Sequence, residues 1–245
     1  MMLLGNERHL AARGAVVTGA LAPLANSLAA DLDRLLPDED VFVPPEKARL
    51  TRRGGRCSRD GLLLEFDPRS PRSHRCARCG AVYDDEDHYR WWIMGYQLWL
   101  AERAVHAGLL WRVRGAARHR RLADAILRKL ADRYLPYPNA DNVLGPTRPF
   151  FSTYLESIWL LHVSVALDLL EGAETTGTGD IVRERLIVPS SALIAAYDEG
   201  LSNRQVWHDA ALAAAGGQIG RPDLVDGALG RGLGRHLTHG LLPDG

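Results

Sequence analysis

Leu201-Ser202-Asn203-Arg204-Gln205-Val206-Trp207-His208-Asp209, followed by the small-residue run Ala210 to Gly217, decides how the chain is read. Ser202 or Asn203 predicts a helix start, because a short side-chain oxygen accepts a free backbone N–H of the first turn. Val206, Ala210, Ala213 and Gly217 then recur at steps of four, three and four, one face of a helix. That face carries almost no side chain, so another helix is expected close against it. The start gathers Asn203, Arg204, Gln205, Trp207 and His208. A helix N-terminus also carries partial positive charge that favours an anion. A ligand site and a merely capped, solvated first turn both fit.

Outward from this stretch the chain reads as helical. Leu21, Leu24, Leu28, Leu32 and Leu35 predict a helix within Asn6 to Leu36, with a break from Gly14, Gly19 and Pro23. Trp91, Met94, Leu98, Ala101, Val105 and Gly108 form a stripe from about His88 to Val113, widened by Trp92, Tyr96 and Trp99. Helices follow over Ala117 to Tyr134, Ser152 to Leu170 and Asp180 to Tyr197, the last kinked at Pro189. Two short ones close the chain (Asp223 to Leu229 and Leu233 to His239). The loop rich in Pro and Gly from Pro136 to Pro149 has a length often tied to function. Arg148, Tyr154 and Glu156, flanking the start of the Trp159 helix, are candidates to bind a polar ligand or simply to cap and pair. Helix, short turn, helix predicts antiparallel pairs stacked around an axis.

One segment differs. Residues 52–84 hold Cys57, Cys76 and Cys79, and Leu62 to Phe66 reads as a short strand between Gly61 and Pro68. Cys57 followed by Cys76-Ala77-Arg78-Cys79-Gly80 resembles one and a half halves of a zinc ribbon. A tetrahedral Zn²⁺ needs a fourth ligand, and His74 is the nearest candidate, with His88 behind it. The alternative is three reduced thiols in a small loop module. With so few apolar residues, the module needs something besides a core to hold it. The domains expected are 1–51 as helix and connection, 52–84 as the Cys-containing module, and 85–245 as the helical body.

Thirty basic and thirty acidic residues cancel, so net charge names no partner. No uninterrupted apolar run predicts a membrane span. The N-terminal residues do not read as a signal peptide, and an odd set of three cysteines suggests a reducing, cytoplasmic setting. Arg112, Arg114, Arg118, Arg120, Arg121, Arg128 and Arg133 could join the module in a nucleic-acid face, but a solvated helix face is the simpler reading.

The block Asn203 to Ala211, with Gly232-Leu233 and Leu241-Leu242-Pro243-Asp244-Gly245 downstream, resembles the heparinase II/III-like polysaccharide lyases and their alginate-lyase relatives. His74 to Gly80 followed by the Trp-rich helix is similar to the N-terminal part of bacterial members. The resemblance covers most of the chain from about Arg56, and the Asn203 and Leu242 blocks carry its specificity. It implies a mainly α fold, an incomplete (α/α) toroid with the small Cys-containing insertion, acting on an anionic uronate-containing polysaccharide or oligosaccharide by β-elimination. Asn203 would neutralise the uronate carboxylate as charge develops. Many such lyases have His after the Asn; here Arg204 stands there, so His208 becomes the second catalytic candidate. Arg204, Gln205 and Trp207 would bind substrate beside Arg148, Tyr154 and Glu156. The family's catalytic Tyr and β-sandwich domain are expected beyond the Leu242 turn, so the chain is expected to be part of a longer protein, inactive alone. The alternatives are a non-catalytic carbohydrate-binding toroid and a zinc-ribbon module for nucleic acid or protein.

Overall fold

A computed structural model describes residues 19, 21–35, 40–171 and 177–240. The chain is mainly helical, with one small two-stranded sheet. Helix α1 is Ala22–Leu35, with Pro23 inside its first turn, where a missing N–H costs nothing. It buries Ala25 and Leu32 but leaves Leu21 and Leu24 exposed. The expected helical residues before Gly19 lie outside the described residues. Strands β1 (His74–Arg75) and β2 (Val82–Tyr83) pair antiparallel within the Cys-containing segment. Leu62 to Phe66 is not the strand expected: Leu63 makes only an isolated bridge to Arg56.

Helix α2 (Glu86–Arg114) is capped by Asp85, whose carboxylate accepts the His88 N–H at 3.1 Å, and ends on Gly115 at φ 68°. A two-residue turn leads to α3 (Ala117–Tyr134), which therefore runs back along it. In α2 the buried Tyr and Trp rings are Tyr89, Trp92 and Tyr96, one position round from the expected Trp91–Met94–Leu98 stripe, which is only partly buried. The reason is polar: the Trp92 indole donates to the Asp67 carbonyl and the Tyr96 hydroxyl to the Phe42 carbonyl, so each buried ring has a partner for its polar tip.

Helix α4 (Thr153–Leu170) is capped by Ser152 and lies between α2 and α7 (Asn203–Ile219). By length and composition α4 could cross a membrane, but two-thirds of it is buried inside the protein, so its apolar surface is spent on the core. Gly108 of α2 lets Leu169 and Ala166 approach; a Cβ there would meet the Leu169 Cβ at 3.0 Å. Between α4 and α7 run α5 (Thr178–Val182), a π-helical turn over Arg183–Ile187 and α6 (Val188–Ala195). The kink expected at Pro189 is this wider turn, in which the Val188 N–H reaches the Arg183 carbonyl as Pro189, with no N–H, enters the next helix. Helix α8 (Pro222–Asp226) and a π-helical segment over Gly227–Leu233 pack on α7, and α9 (Gly234–His239) packs on the π-helical segment.

The long loop before α4 is pinned by Lys47. Its buried ammonium donates to the Ala140 carbonyl and the Asn142 Oδ1, both at 2.6 Å, the Thr147 carbonyl at 2.8 Å and the Pro138 carbonyl at 3.3 Å. Burial lowers the Lys47 pKa from 10.5 to about 8, while Glu156 and Asp141 pull it up.

Candidate functional site

Ser202, not Asn203, caps α7: its hydroxyl accepts the Gln205 N–H at 3.2 Å. Asn203 is thus the first helical residue, exposed, and its amide makes no hydrogen bond to any described residue. Trp207 stands one turn further on the same face, 38% exposed, with Val206 43% exposed beside it. The expectation that Val206 leads the packed face is therefore corrected. The inward face runs through His208, Ala211, Ala215 and Gln218, three and four residues apart, and Val206 looks out. Both faces of this helix are small, and alanine and glycine give no contrast to tell them apart.

The other residues grouped with Asn203 divide by what they touch. Arg204 pairs at 2.9 Å with Glu199, whose side chain is almost wholly buried. Gln205 is buried; its amide donates to Asp209 at 2.9 Å and accepts the Glu199 N–H at 2.8 Å, tying the approach segment to the first turn. His208 is completely buried, its ring 6.2 Å from that of Tyr197, and neither ring nitrogen has a hydrogen-bond partner of good geometry among the described residues. Burial lowers its pKa to about 4, with Arg204 acting in the same sense and the Tyr197 backbone and Asp198 against. At neutral pH His208 is an uncharged ring inside the protein.

Arg148 and Glu156 are brought together, but as scaffold. The Arg148 guanidinium donates to the Leu135 carbonyl at 2.9 Å and the Tyr137 carbonyl at 2.7 Å, a cation on the carbonyl-rich end of α3. Glu156, fully buried, accepts the Tyr134 and Ser190 hydroxyls, both at 2.6 Å, and the Arg148 N–H at 2.9 Å. Those oxygens are occupied and offer nothing to a ligand. Tyr154 is half-buried at the start of α4, its N–H held by Ser152 at 3.2 Å. The loop, α4 and the approach to α7 do meet: a Cβ on Gly145 would collide with both Thr153 and the Tyr197 ring. A cleft of about 480 Å³ lies beside α7, bordered by Tyr197, Asp198, Gln205, Asp209, Asp223 and Arg235. Its carboxylates outnumber its one cation, so its polarity is wrong for a uronate.

The second site is the Cys-containing segment. Cys57, Cys76, Cys79 and Asp60 place one donor atom each within 4.8 Å of one another, a cluster that could hold a metal ion. The Cys57 and Cys79 sulfurs are 3.5 Å apart, against about 3.8 Å for two thiolates on a tetrahedral ion with Zn–S near 2.3 Å. The fourth group of this cluster is Asp60 and not His74. His74 is buried against Trp91 and His88, and its Nε2 bonds the Pro71 carbonyl at 3.2 Å. His88 is likewise engaged, by Asp85 at 2.8 Å and the Arg56 carbonyl at 3.2 Å.

A repeat carries this geometry. Arg56-Cys57-Ser58-Arg59-Asp60-Gly61 and Arg75-Cys76-Ala77-Arg78-Cys79-Gly80 align at an offset of 19 residues. Each closes the same turn, Gly61 N–H to Cys57 O at 2.9 Å and Gly80 N–H to Cys76 O at 3.0 Å, on glycines at φ 71° and 70°. Even the flanking arginines match, Arg56 reaching the Gly61 carbonyl and Arg75 that of Gly80, both at 3.4 Å. Asp60 was legible in this repeat; counting cysteines alone passes over it. Tyr83 lies behind the cluster, its hydroxyl 3.1 Å from the Cys57 sulfur. Burial would raise the Cys57 pKa, but the hydrogen bonds from Tyr83 and the Arg59 backbone outweigh it and lower it. The backbone at Ala81 favours a Cys79 thiolate, yet burial and the neighbouring Cys57 and Cys76 push that thiol up to about 11.

The chain matches no protein-family model, and comparison with curated proteins finds no match. The resemblance to the lyases therefore rests on the motifs quoted above.

Proposed function

We propose that this chain is the helical part of a lyase that cleaves uronate-containing glycans by β-elimination, with a β-sandwich domain of the same protein supplying the catalytic Tyr. The observation that carries the reading is the free Asn203 amide. Because Ser202 does the capping, Asn203 is left facing solvent at the positive end of α7, with Trp207 on the same face to lie against a sugar ring. The C5 proton beside a uronate carboxylate is weakly acidic, since its removal adds charge next to charge. An amide donor on that carboxylate, helped by the helix end, stabilises the aci-carboxylate form. Arg204 and Glu199 fix the first turn, and Gln205 fixes its approach. The metal we propose for the Cys57, Asp60, Cys76 and Cys79 cluster is one structural Zn²⁺: three sulfurs and an oxygen in a closed set suit zinc and leave no open position for substrate.

Steady-state kinetics of the chain joined to its sandwich domain test this, read from the ultraviolet absorbance of the unsaturated uronate. Asn203→Ala should lower kcat about 10²-fold or more, because the amide acts on charge present only near the transition state. Ser202→Ala should lower stability with kcat nearly unchanged. An Asn203→Ala enzyme within about twofold of the parent, or no unsaturated product from the parent itself, overturns the reading.

A further inference from the structure

The chain's neutrality hides a segregation of charge. Residues 52–84 hold eight arginines against four carboxylates, so the remainder is correspondingly acidic. Four of these arginines are engaged: Arg53 with Asp87, Arg72 with Glu86 and the Tyr89 ring, Arg56 and Arg75 with turn carbonyls. Arg59 and Arg78 are exposed, and their guanidinium groups make no hydrogen bond or ion pair with any described residue. They occupy equivalent positions in the two repeats, each immediately before a donor of the cluster, Asp60 or Cys79. Since those donors lie within 4.8 Å of one another, the two turns that carry the arginines meet at the cluster. Arg52 and Arg69, also exposed, add charge to the same small module.

We propose that the rim of the metal cluster, through Arg59 and Arg78, is a second binding surface for the polyanionic glycan, separate from the Asn203 face. This rests on the uronate reading for the identity of the polymer, but the surface itself does not depend on catalysis. Planar guanidinium forks suit carboxylates, which each can grip through two N–H bonds. The module lacks what a nucleic-acid strand would require. Its two aromatic residues are both used internally, Phe66 against Trp91 and Tyr83 against His88, so no ring is free to stack on a base. Rigid presentation is the advantage of the location: knuckles fixed by a cluster hold both arginines at one spacing, lowering the ordering cost of binding.

The experiment is equilibrium binding of a fluorescent alginate oligosaccharide to the metal-loaded protein at low and physiological salt. Arg59→Ala with Arg78→Ala should weaken binding about fivefold to tenfold, as expected for two exposed charge pairs, and flatten its salt dependence. Metal content should stay at the parent value. Hydrogen-exchange protection of residues 57–61 and 76–80 on adding the oligosaccharide is the second readout and needs no variant. Unchanged affinity in the double variant, absence of that protection, or tighter binding of a DNA duplex of equal charge overturns the proposal. Arginine-dependent glycan binding without any turnover upholds this surface while sinking the lyase, so the two failures are told apart.

Discussion

Asn203 and Ser202 are adjacent polar residues, each able to cap a helix, and the structure gives them different work. Ser202 satisfies the first turn, so Ser202→Ala should cost about 1 kcal/mol of stability, while Asn203→Ala should cost almost none. His208 poses the opposite case, a buried polar ring with no hydrogen-bond partner of good geometry among the described residues. Replacing an unsatisfied buried group by an apolar one of similar size is neutral or favourable. His208→Leu should therefore hold or raise the urea midpoint at pH 7. Its pH behaviour follows from the lowered pKa: between the unfolded value near 6.5 and the folded value of about 4, only the unfolded chain takes up the proton. Stability at this site is lost as pH falls through that window, and His208→Leu should flatten the fall. Unfolding curves at pH 7, 5.5 and 4.5 decide it; an unchanged slope would mean the ring is not the source. The cap could be read from sequence because serine before a helix has one mechanism. The burial of His208 could not, because histidine's place depends on which face the tertiary structure covers.

At the scale of the element, the Cys-containing segment is the part least able to stand on its own. Its own core is Cys57, Leu64 and Cys76, helped at the edges by Leu62, Tyr83 and Trp91. Gly54 and Gly55 sit so close to Trp91 that a Cβ on either would strike it, which seats the segment on the start of α2. A cluster with so small a core should depend on its ion for folding. Elemental analysis should find one zinc per chain. Chelation should erase near-ultraviolet dichroism from Trp91 while leaving most of the helical signal. Asp60→Ala should lower zinc affinity by at least about tenfold, in line with losing one metal-binding interaction, whereas His74→Ala should keep full zinc occupancy. Zinc retained by Asp60→Ala and lost by His74→Ala would restore the imidazole as ligand. The helices were predictable from their periodicity, α3 to the residue, because amphipathic spacing is a local property. The wrong strand in this segment has a local cause too. Leu62 to Phe66 has strand-like composition, but the turn geometry of the repeats spends its backbone on the cluster, the Cys57 N–H bonding the Leu62 carbonyl at 2.8 Å.

Across the whole molecule, Glu156 joins more of the structure than any residue of the Asn203 face. One carboxyl group meets Tyr134 of α3, Ser190 of α6 and the Arg148 backbone of the long loop, all from α4. Removing it leaves two buried hydroxyls and a part-buried N–H without acceptors, so Glu156→Ala should cost about 3–5 kcal/mol, with Glu156→Gln costing clearly less. Denaturant unfolding of both variants checks this; a loss under about 1 kcal/mol would show that the helices do not rely on the junction. Sequence marked Glu156 and Arg148 as polar residues at a helix start, which is equally the signature of a ligand pocket. What distinguishes them is the arrival of Ser190 and Tyr134 from distant parts of the chain, and no local pattern encodes that.

The Lys47 ammonium, ringed by three carbonyls and an amide oxygen, does for the long loop what an alkali-metal ion does in other proteins. Because this cation is covalently tethered, dialysis and chelators cannot take it away; only loss of its proton can, and that proton is held with a pKa of about 8. The two irregular regions of the protein therefore answer to different chemical controls. The cysteine segment would follow the supply of zinc, and the loop beside α4 would follow alkalinity. Either can be loosened while the other stays closed.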